Sequence, residues 1–371
     1  MTDKLTIALL TGGRSSEHPI SLITAKGVLG AIDRSKYDVV VIGITEDGRW
    51  YLLDEPSVIE LANTPKAAGR FTGASQQVFL PLGAGDSRLR LISEDGSTEI
   101  GPSIDVVFPL LHGPFGEDGT LQGLLEMADL KYVGCGVTAS AIGMDKHFMK
   151  VAFEAAGLEV GPYEVVTNRA WTHDRAAVLE RISRLEYPLF VKPTRAGSSF
   201  GITRVDSADE LEAAIEEARR FDPKVIVEQG IVGREIELSV LDGHNGQMPR
   251  VSYPGEVEVT DQEHTFYDFD AKYVSETSAQ TRCPADLPEE AQEQLRALAV
   301  EAFLAIDGEG LSRADFFYTP EGRMIINEVN TMPGFTPISM YKTLWEKSGI
   351  SYSELIDELI SLAVERPLGL R

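Results

Sequence analysis

The chain opens on a largely apolar run, Leu5 to Leu10, which breaks at Thr11-Gly12-Gly13-Arg14-Ser15-Ser16-Glu17-His18. A short apolar run bounded by turn residues predicts a buried strand. Pro19 then suits the first turn of a helix, with Ile20, Ile23 and Val28 as its apolar stripe. Tyr37 to Ile44 and Ile104 to Pro109 predict further strands, and Leu121 to Met127 a helix. Strands alternating with helices indicate a parallel α/β sheet. Between them Thr45 to Gly101, rich in Gly, Ser and Asp, reads as a loop-and-hairpin insertion.

A second unit starts near Ala141, with helices over Phe148 to Ala156 and Ala208 to Arg220 and strands over Leu189 to Lys192 and Val225 to Glu228. In a third unit Glu235 to Val240 alternates strictly, which predicts a half-buried strand. Leu287, Ala291, Leu295, Leu298, Ala302 and Ile306 mark a long amphipathic helix. Asp261 to Pro284 has little regular patterning, and long irregular segments of this kind are often lids.

Composition narrows the function. The 371 residues carry a formal net charge of -24, the wrong sign for neutralising nucleic-acid phosphates. No apolar stretch reaches the roughly 20 residues of a membrane span. Cys135 and Cys283 cannot build a disulfide framework and fit a reducing, cytoplasmic setting.

The most informative chemistry lies in Leu311 to Asn330. Arg313, Asp315 and Phe317 share one strand face, and across a turn Ile326, Glu328 and Asn330 share a face of the return strand. With Glu321-Gly322 as a two-residue hairpin loop, Asp315 faces Glu328 and Arg313 faces Asn330. Opposed carboxylates about 5 Å apart at Cβ repel unless a cation stands between them. Oxygen-only donors suit Mg²⁺ or Mn²⁺. The competing reading is a solvated face with Arg313 neutralising Asp315. The following loop, Thr331 to Pro337, is apolar yet turn-rich and favours a site.

Lys192-Pro193-Thr194-Arg195-Ala196-Gly197-Ser198-Ser199-Phe200-Gly201 supplies a lysine, hydroxyls and glycines suited to phosphate, though not in the order of a Walker A loop. His112 to Gly119 lies between a strand and a helix, where α/β sheets gather ligands. There Glu117 and Asp118 are expected to serve the helix N-terminus and His112 to contact ligand. The first loop lacks Gly-x-Gly-x-x-Gly, which disfavours a Rossmann dehydrogenase.

Taken together these motifs, with Phe266-Tyr267-Asp268-Phe269-Asp270-Ala271-Lys272-Tyr273 and Asn327-Glu328-Val329-Asn330-Thr331-Met332-Pro333-Gly334, make the chain one that resembles the D-alanine–D-alanine ligases of the ATP-grasp superfamily over nearly its whole length. The resemblance implies an α/β and α+β protein of three domains. These are an N-terminal parallel α/β domain (1–140), a central ATP-grasp subdomain (141–231) and a C-terminal one (232–371) carrying the lid at about 261–284. It implies an ATP-dependent ligase that joins two D-alanines through an acyl phosphate, with two Mg²⁺ (or Mn²⁺) and a homodimer formed through the N-terminal domain.

By the same resemblance Asp315, Glu328 and Asn330 hold the metals, and Lys146, Lys192 and the lid residue Lys272 grasp phosphates. Glu228 and Glu235 hold the adenine and ribose ends, around a hinge of Gln229, Gly230 and Ile231, with Ser199, Phe266 and Asn327 also at the nucleotide. Arg313 and the Gly334 N–H serve the oxyanion. Glu17, with His112 near it, holds the first D-alanine, and Ser339 with the Met340 backbone holds the second. Ser198 and Tyr273 link with Glu17 to close the lid, and Tyr273 favours an amine over a hydroxyl as second substrate. Pro19, Ala196 and Met340-Tyr341-Lys342 depart from the pattern, none at a residue assigned to chemistry. Rival readings are a ligase forming D-alanyl-D-lactate or D-alanyl-D-serine, and a nucleotide-binding regulator without catalysis.

Overall fold

In the computed structural model, which describes residues 4–64, 71, 76–83, 85–197, 201–259, 279–336 and 338–367, Leu5–Gly12 pairs in parallel with Tyr37–Ile44 and with Val106–Pro109. The helix His18–Ala31 makes the first crossover. Ile7 to Gly12 is buried throughout, as a parallel strand covered on both faces requires. The sheet has eight strands, running Thr98–Ser103, Arg88–Ser93, Gln76–Phe79, Trp50–Leu53, Tyr37–Ile44, Leu5–Gly12, Val106–Pro109 and Lys131–Tyr132.

The first four of these come from the insertion, so that segment extends the sheet by antiparallel pairing. It also holds a helix, Glu55–Asn63, that the reading of this segment as loop and hairpin missed. Its signals were local. Asp54 accepts from Ser57 N as the N-cap, and Pro56 lies in the first turn.

A four-stranded antiparallel sheet follows, in the order Thr203–Val205, Leu189–Pro193, Val225–Gln229, Tyr163–Val166. Among the described residues its core, with Trp171, Val178, Ile182, Leu189, Leu211, Ile215 and Val227, draws on no other unit.

The last sheet runs Ala279–Arg282, Gly255–Val259, Arg234–Leu241, Leu311–Tyr318, Met324–Asn330, with Arg250–Val251 beside Arg234–Leu241. Two expectations change here. Arg234–Leu241 is not half-buried, because it is a central strand and every residue from Ile236 to Leu241 is buried. Its polar positions are matched: Glu237 pairs with Arg313, and Ser239 Oγ donates to Tyr341 O (3.2 Å). The end of the expected lid, Ala279–Arg282, is an edge strand on Gly255–Val259, and residues 261–278 lie outside the described residues.

The C-terminal helix Tyr352–Glu365, opened by a Ser351–Glu354 capping box, packs on the first sheet. Leu355, Ile356, Leu359 and Ile360 share a core with Ile7, Leu9, Val106 and Phe108. Arg366 completes the joint by donating to Gly134 O (2.6 Å) and Tyr132 O (2.9 Å).

Candidate active site

All three units contribute walls to one cavity of about 410 Å³. It brings together Glu17, His112, Lys146, Lys192, Glu228, Gln229, Gly230, Ile231, Glu235, Arg313, Asn327, Glu328, Asn330 and Gly334, each named from sequence. Ser198, Ser199, Phe266, Lys272 and Tyr273 lie outside the described residues. Ser339 and Met340 are not on this wall. Ser339 Oγ accepts from Thr336 N (2.9 Å), and the Met340 side chain packs with Val257 and Leu344.

The hairpin that carries the carboxylate pair is built differently from the expected one. Near the turn Tyr318 pairs with Met324 and Phe316 with Ile326, so the loop has three residues, Pro320 to Gly322, with Gly322 at φ +81°. A bulge between Asp315 and Phe316 on one side, and at Asn327 on the other, then shifts the register by one. Asp315 consequently faces Glu328 and Arg313 faces Asn330 after all. Two departures cancel. The bulge also places Ile326 opposite Phe316 in the core, away from the face expected for it.

Asp315 does not itself reach the cavity wall. Arg313 clasps it through Nε–Oδ1 (2.7 Å) and Nη2–Oδ2 (2.6 Å), and Asn330 Nδ2 donates to Oδ2 (3.1 Å). Arg313 also stands 3.1 Å from Glu237, a buried partner that sequence reasoning missed. Glu328 faces Lys146 at 4.0 Å. Arg313 thus neutralises Asp315, as the solvated-face reading expected, yet these groups are mostly buried and line or back a cavity.

Lys146 starts the helix Lys146–Ala155, whose N-cap Asp145 accepts from His147 N (3.1 Å) and Phe148 N (3.3 Å). Asp145 is held in turn by Lys224 Nζ (2.8 Å). Lys146 reaches the lysine-serine loop: its N–H donates to Thr194 O (3.0 Å) and its Nζ to Ala196 O (3.0 Å). The start of that loop is pinned where Asp222 accepts from Thr194 Oγ1 (2.8 Å) and Arg195 Nε (2.9 Å). On the neighbouring strands Glu228 is gripped by Lys150 (2.8 Å) and by Lys192. Burial opposes the Glu228 charge, but the two ammonium groups override it and hold its carboxyl far below the usual range. Burial likewise pulls Lys192 down, and Glu228, then Glu328 and Glu235, leave it raised.

At the other end, Glu17 lies at the N-terminus of His18–Ala31 without capping it. Ser15 Oγ donates to His112 O (2.6 Å) and accepts from Glu17 N (3.1 Å), tying the first loop to the second. A Cβ at Gly113, which sits at φ +73°, or at Gly197 would run into the Glu17 carboxylate. Gly113 needs glycine for its positive φ, and at Gly197 a side chain would displace the Glu17 carboxylate. His112 is buried with Nε2 3.3 Å from Thr24 Oγ1, and burial lowers its pKa against the opposing charge of Glu17.

Asp118 serves the backbone as expected, accepting from Thr120 N (3.0 Å). Glu117 does not serve the helix start as expected, because its carboxylate turns back to the loop instead. It lines the cavity, accepts from Gly113 N (3.2 Å), and is pushed well above the carboxylate range by burial and then by Glu17.

The profile for the N-terminus of D-Ala–D-Ala ligases matches residues 6–135, and that for their C-terminus matches residues 152–361. A D-alanine–D-alanine ligase from Kocuria rhizophila is 60% identical over 372 aligned residues, covering 100% of this chain and 96% of its own. Among solved structures, the D-alanine–D-alanine ligase of Coxiella burnetii superposes with a TM-score of 0.83 at 37% identity, over 98% of this chain and 95% of that one. A D-Ala:D-Ser ligase from Enterococcus faecalis gives 0.83 at 35%, over 97% and 100%. The two profiles together match most of the chain and the relative covers it from end to end, so the chain belongs to the D-alanine–D-alanine ligase family.

Proposed function

We propose that the chain joins two D-alanine molecules into D-alanyl-D-alanine, with ATP converted to ADP and phosphate, as a step in peptidoglycan precursor synthesis. The observation that carries this reading is the 60% identity, end to end, with a D-alanine–D-alanine ligase. A free carboxylate is a poor acyl donor. The first D-alanine's carboxylate attacks the γ-phosphorus, ADP leaves, and the acyl phosphate so formed is attacked by the second D-alanine's amine. Phosphate then departs from the tetrahedral intermediate.

The protein's part is to position reactants and balance charge. Glu17 holds the first D-alanine's ammonium beside a neutral His112. Lys146 and Lys192 receive the phosphates, with the base at Gln229 to Ile231 and the ribose at Glu235. Arg313 and the Gly334 N–H stabilise the developing oxyanion. Ser339 and the Met340 backbone take the second carboxylate, while Ser198 and Tyr273 close over Glu17. Ser199, Phe266, Asn327 and Lys272 complete the nucleotide's surroundings.

The described residues contain no group of three His, Cys, Asp or Glu side chains placed to hold a metal by themselves. Asp315, Glu328 and Asn330 offer hard oxygen donors on opposed strands, which fit part of the shell of Mg²⁺ or Mn²⁺, phosphate oxygens and water supplying the rest. Such ions neutralise phosphate charge when bound. We read the protein as a cytoplasmic homodimer.

The test is phosphate release from ATP and Mg²⁺ with D-alanine alone, and with D-serine or D-lactate added, with product masses read in parallel. D-alanyl-D-alanine as the main product is the expected result. A mixed product exceeding it would move the assignment to the D-serine or D-lactate branch, and no phosphate from any mixture would overturn the ligase reading.

A further inference from the structure

Lys150 has no place in the scheme above, yet it is 3% exposed and lines the cavity. It follows Lys146 by one helical turn on Lys146–Ala155, so both lysines project from one face. Lys146 reaches the loop at Ala196, whereas Lys150 reaches the strand Val225–Gln229 and its Glu228. Glu228 thereby divides its oxygens: Oε1 takes Lys150 Nζ at 2.8 Å and Oε2 takes Lys192. One carboxylate serves two ammonium groups in a nearly water-free corner.

A buried carboxylate with a single cation forms a closed pair, and drawing that cation away leaves an unpaired buried charge at high cost. With a second cation in place, one lysine is able to leave while the carboxylate stays matched. The side-chain exposures say which one: Lys150 is 4% exposed and Lys192 16%, so Lys192 is the one that faces the opening.

We propose that Lys150 is a positioning residue that keeps Glu228 neutralised, so that Lys192 is released to the phosphates of a bound nucleotide. The inference rests on the nucleotide-site reading given above. It separates the two lysines by role: one acts on the ligand, and the other acts only through Glu228. Deep burial of the Glu228 charge, held low by both lysines together, agrees with a carboxylate that never stands alone.

The experiment is calorimetric titration of the purified full-length chain with MgATP, without D-alanine. Lys150→Met leaves Glu228 closed on Lys192, and MgATP binding is expected to weaken by about tenfold or more. Lys150→Arg keeps the cation and is expected to stay within about threefold of wild type. The deciding comparison is Lys150→Met made in a Glu228→Gln background, where the carboxylate no longer holds Lys192 by charge and any loss at the adenine is common to both proteins. In that background Lys150→Met should cost little further affinity, whereas a merely structural lysine would cost as much as before.

A double variant that binds about tenfold more weakly than Glu228→Gln alone, or a Lys150→Met protein that binds like wild type, overturns the proposal. If Lys150→Met fails to fold, Lys150→Gln takes its place in both backgrounds. A loss of about tenfold or more in the wild-type background that shrinks to about threefold or less with Glu228→Gln supports the proposal, and an equal loss in both overturns it. Failure of the wild-type chain to bind MgATP would instead sink the nucleotide site itself.

Discussion

A carboxyl group on the wall of a cavity keeps its charge only where a cation or a hydrogen bond holds it. Glu17 and Glu117 face the same space, and Glu117 has one backbone donor, Gly113 N. Its ordinary pKa of 4.5 is raised well above that in the fold, by burial first and by Glu17 second. The folded chain therefore keeps a proton that the unfolded chain has released, and this group costs stability as pH rises from about 4.5 towards its folded value. Glu117→Gln cannot ionise. It should match wild type near about pH 4 and then gain on it by about 1.4 kcal/mol per pH unit through that window. Urea unfolding over a pH series measures this, and a pH-independent difference would count against it. The residue types in the loop were legible, but which acid would bridge to a backbone and which would face a ligand was not. That depended on how the turn at Gly113 folded back.

Period-two and helical patterning located most elements to within a few residues, because strand and helix faces must meet a core wherever the chain goes. It could not show that Arg234–Leu241 would be covered on both faces, since Glu237 and Ser239 look like solvent positions until Arg313 and Tyr341 arrive beside them. Nor did it show the latch between the turn His244–Gly246 and the helix Tyr352–Glu365. There His244 meets Glu358 (3.0 Å) and Glu365 (2.8 Å), and Arg250 also meets Glu358 (2.5 Å). The bond to Glu358, and then Glu365, raise the His244 pKa above 6.5 despite some burial. A raised histidine stabilises fully below its unfolded pKa and loses that contribution as pH climbs through the folded value. His244→Ala should cost about 0.5–1 kcal/mol near pH 6 and almost nothing near pH 9. Hydrogen exchange at the end of the C-terminal helix reads this out, and an equal cost at both pH values would refute it.

Across the whole molecule, the hydrophobic cores do not follow chain order. The C-terminal helix joins the core under the first sheet, whereas among the described residues the core on the four-stranded sheet comes from its own unit. Local stability should divide the same way. Trp171, 2% exposed, anchors the second core, and Trp171→Ala is expected to cost about 3–5 kcal/mol. Exchange should then quicken over residues 163–227 while the first sheet and the C-terminal helix stay protected. Uniform loss of protection along the chain would show a single cooperative unit instead. The cavity lies where these separately packed parts meet, with Lys146 and Lys192 on one side and Glu17 and Arg313 on others.

Hydrophobic period and turn chemistry act between neighbours in sequence, so the strand Tyr37–Ile44 or the helix Thr120–Met127 could be read from the chain itself. Motif order did the same for the family, because loops that grip one nucleotide must keep their side chains in fixed spacing. Tertiary structure alone decided the rest. The opposition of Asp315 and Glu328 survived only because a three-residue turn and a bulge at Asn327 offset each other. Lys150 became part of the site only when a helix and a strand about 80 positions apart in sequence brought it to Glu228. Contacts of that kind are set by how whole surfaces pack, and no local pattern in the chain encodes them.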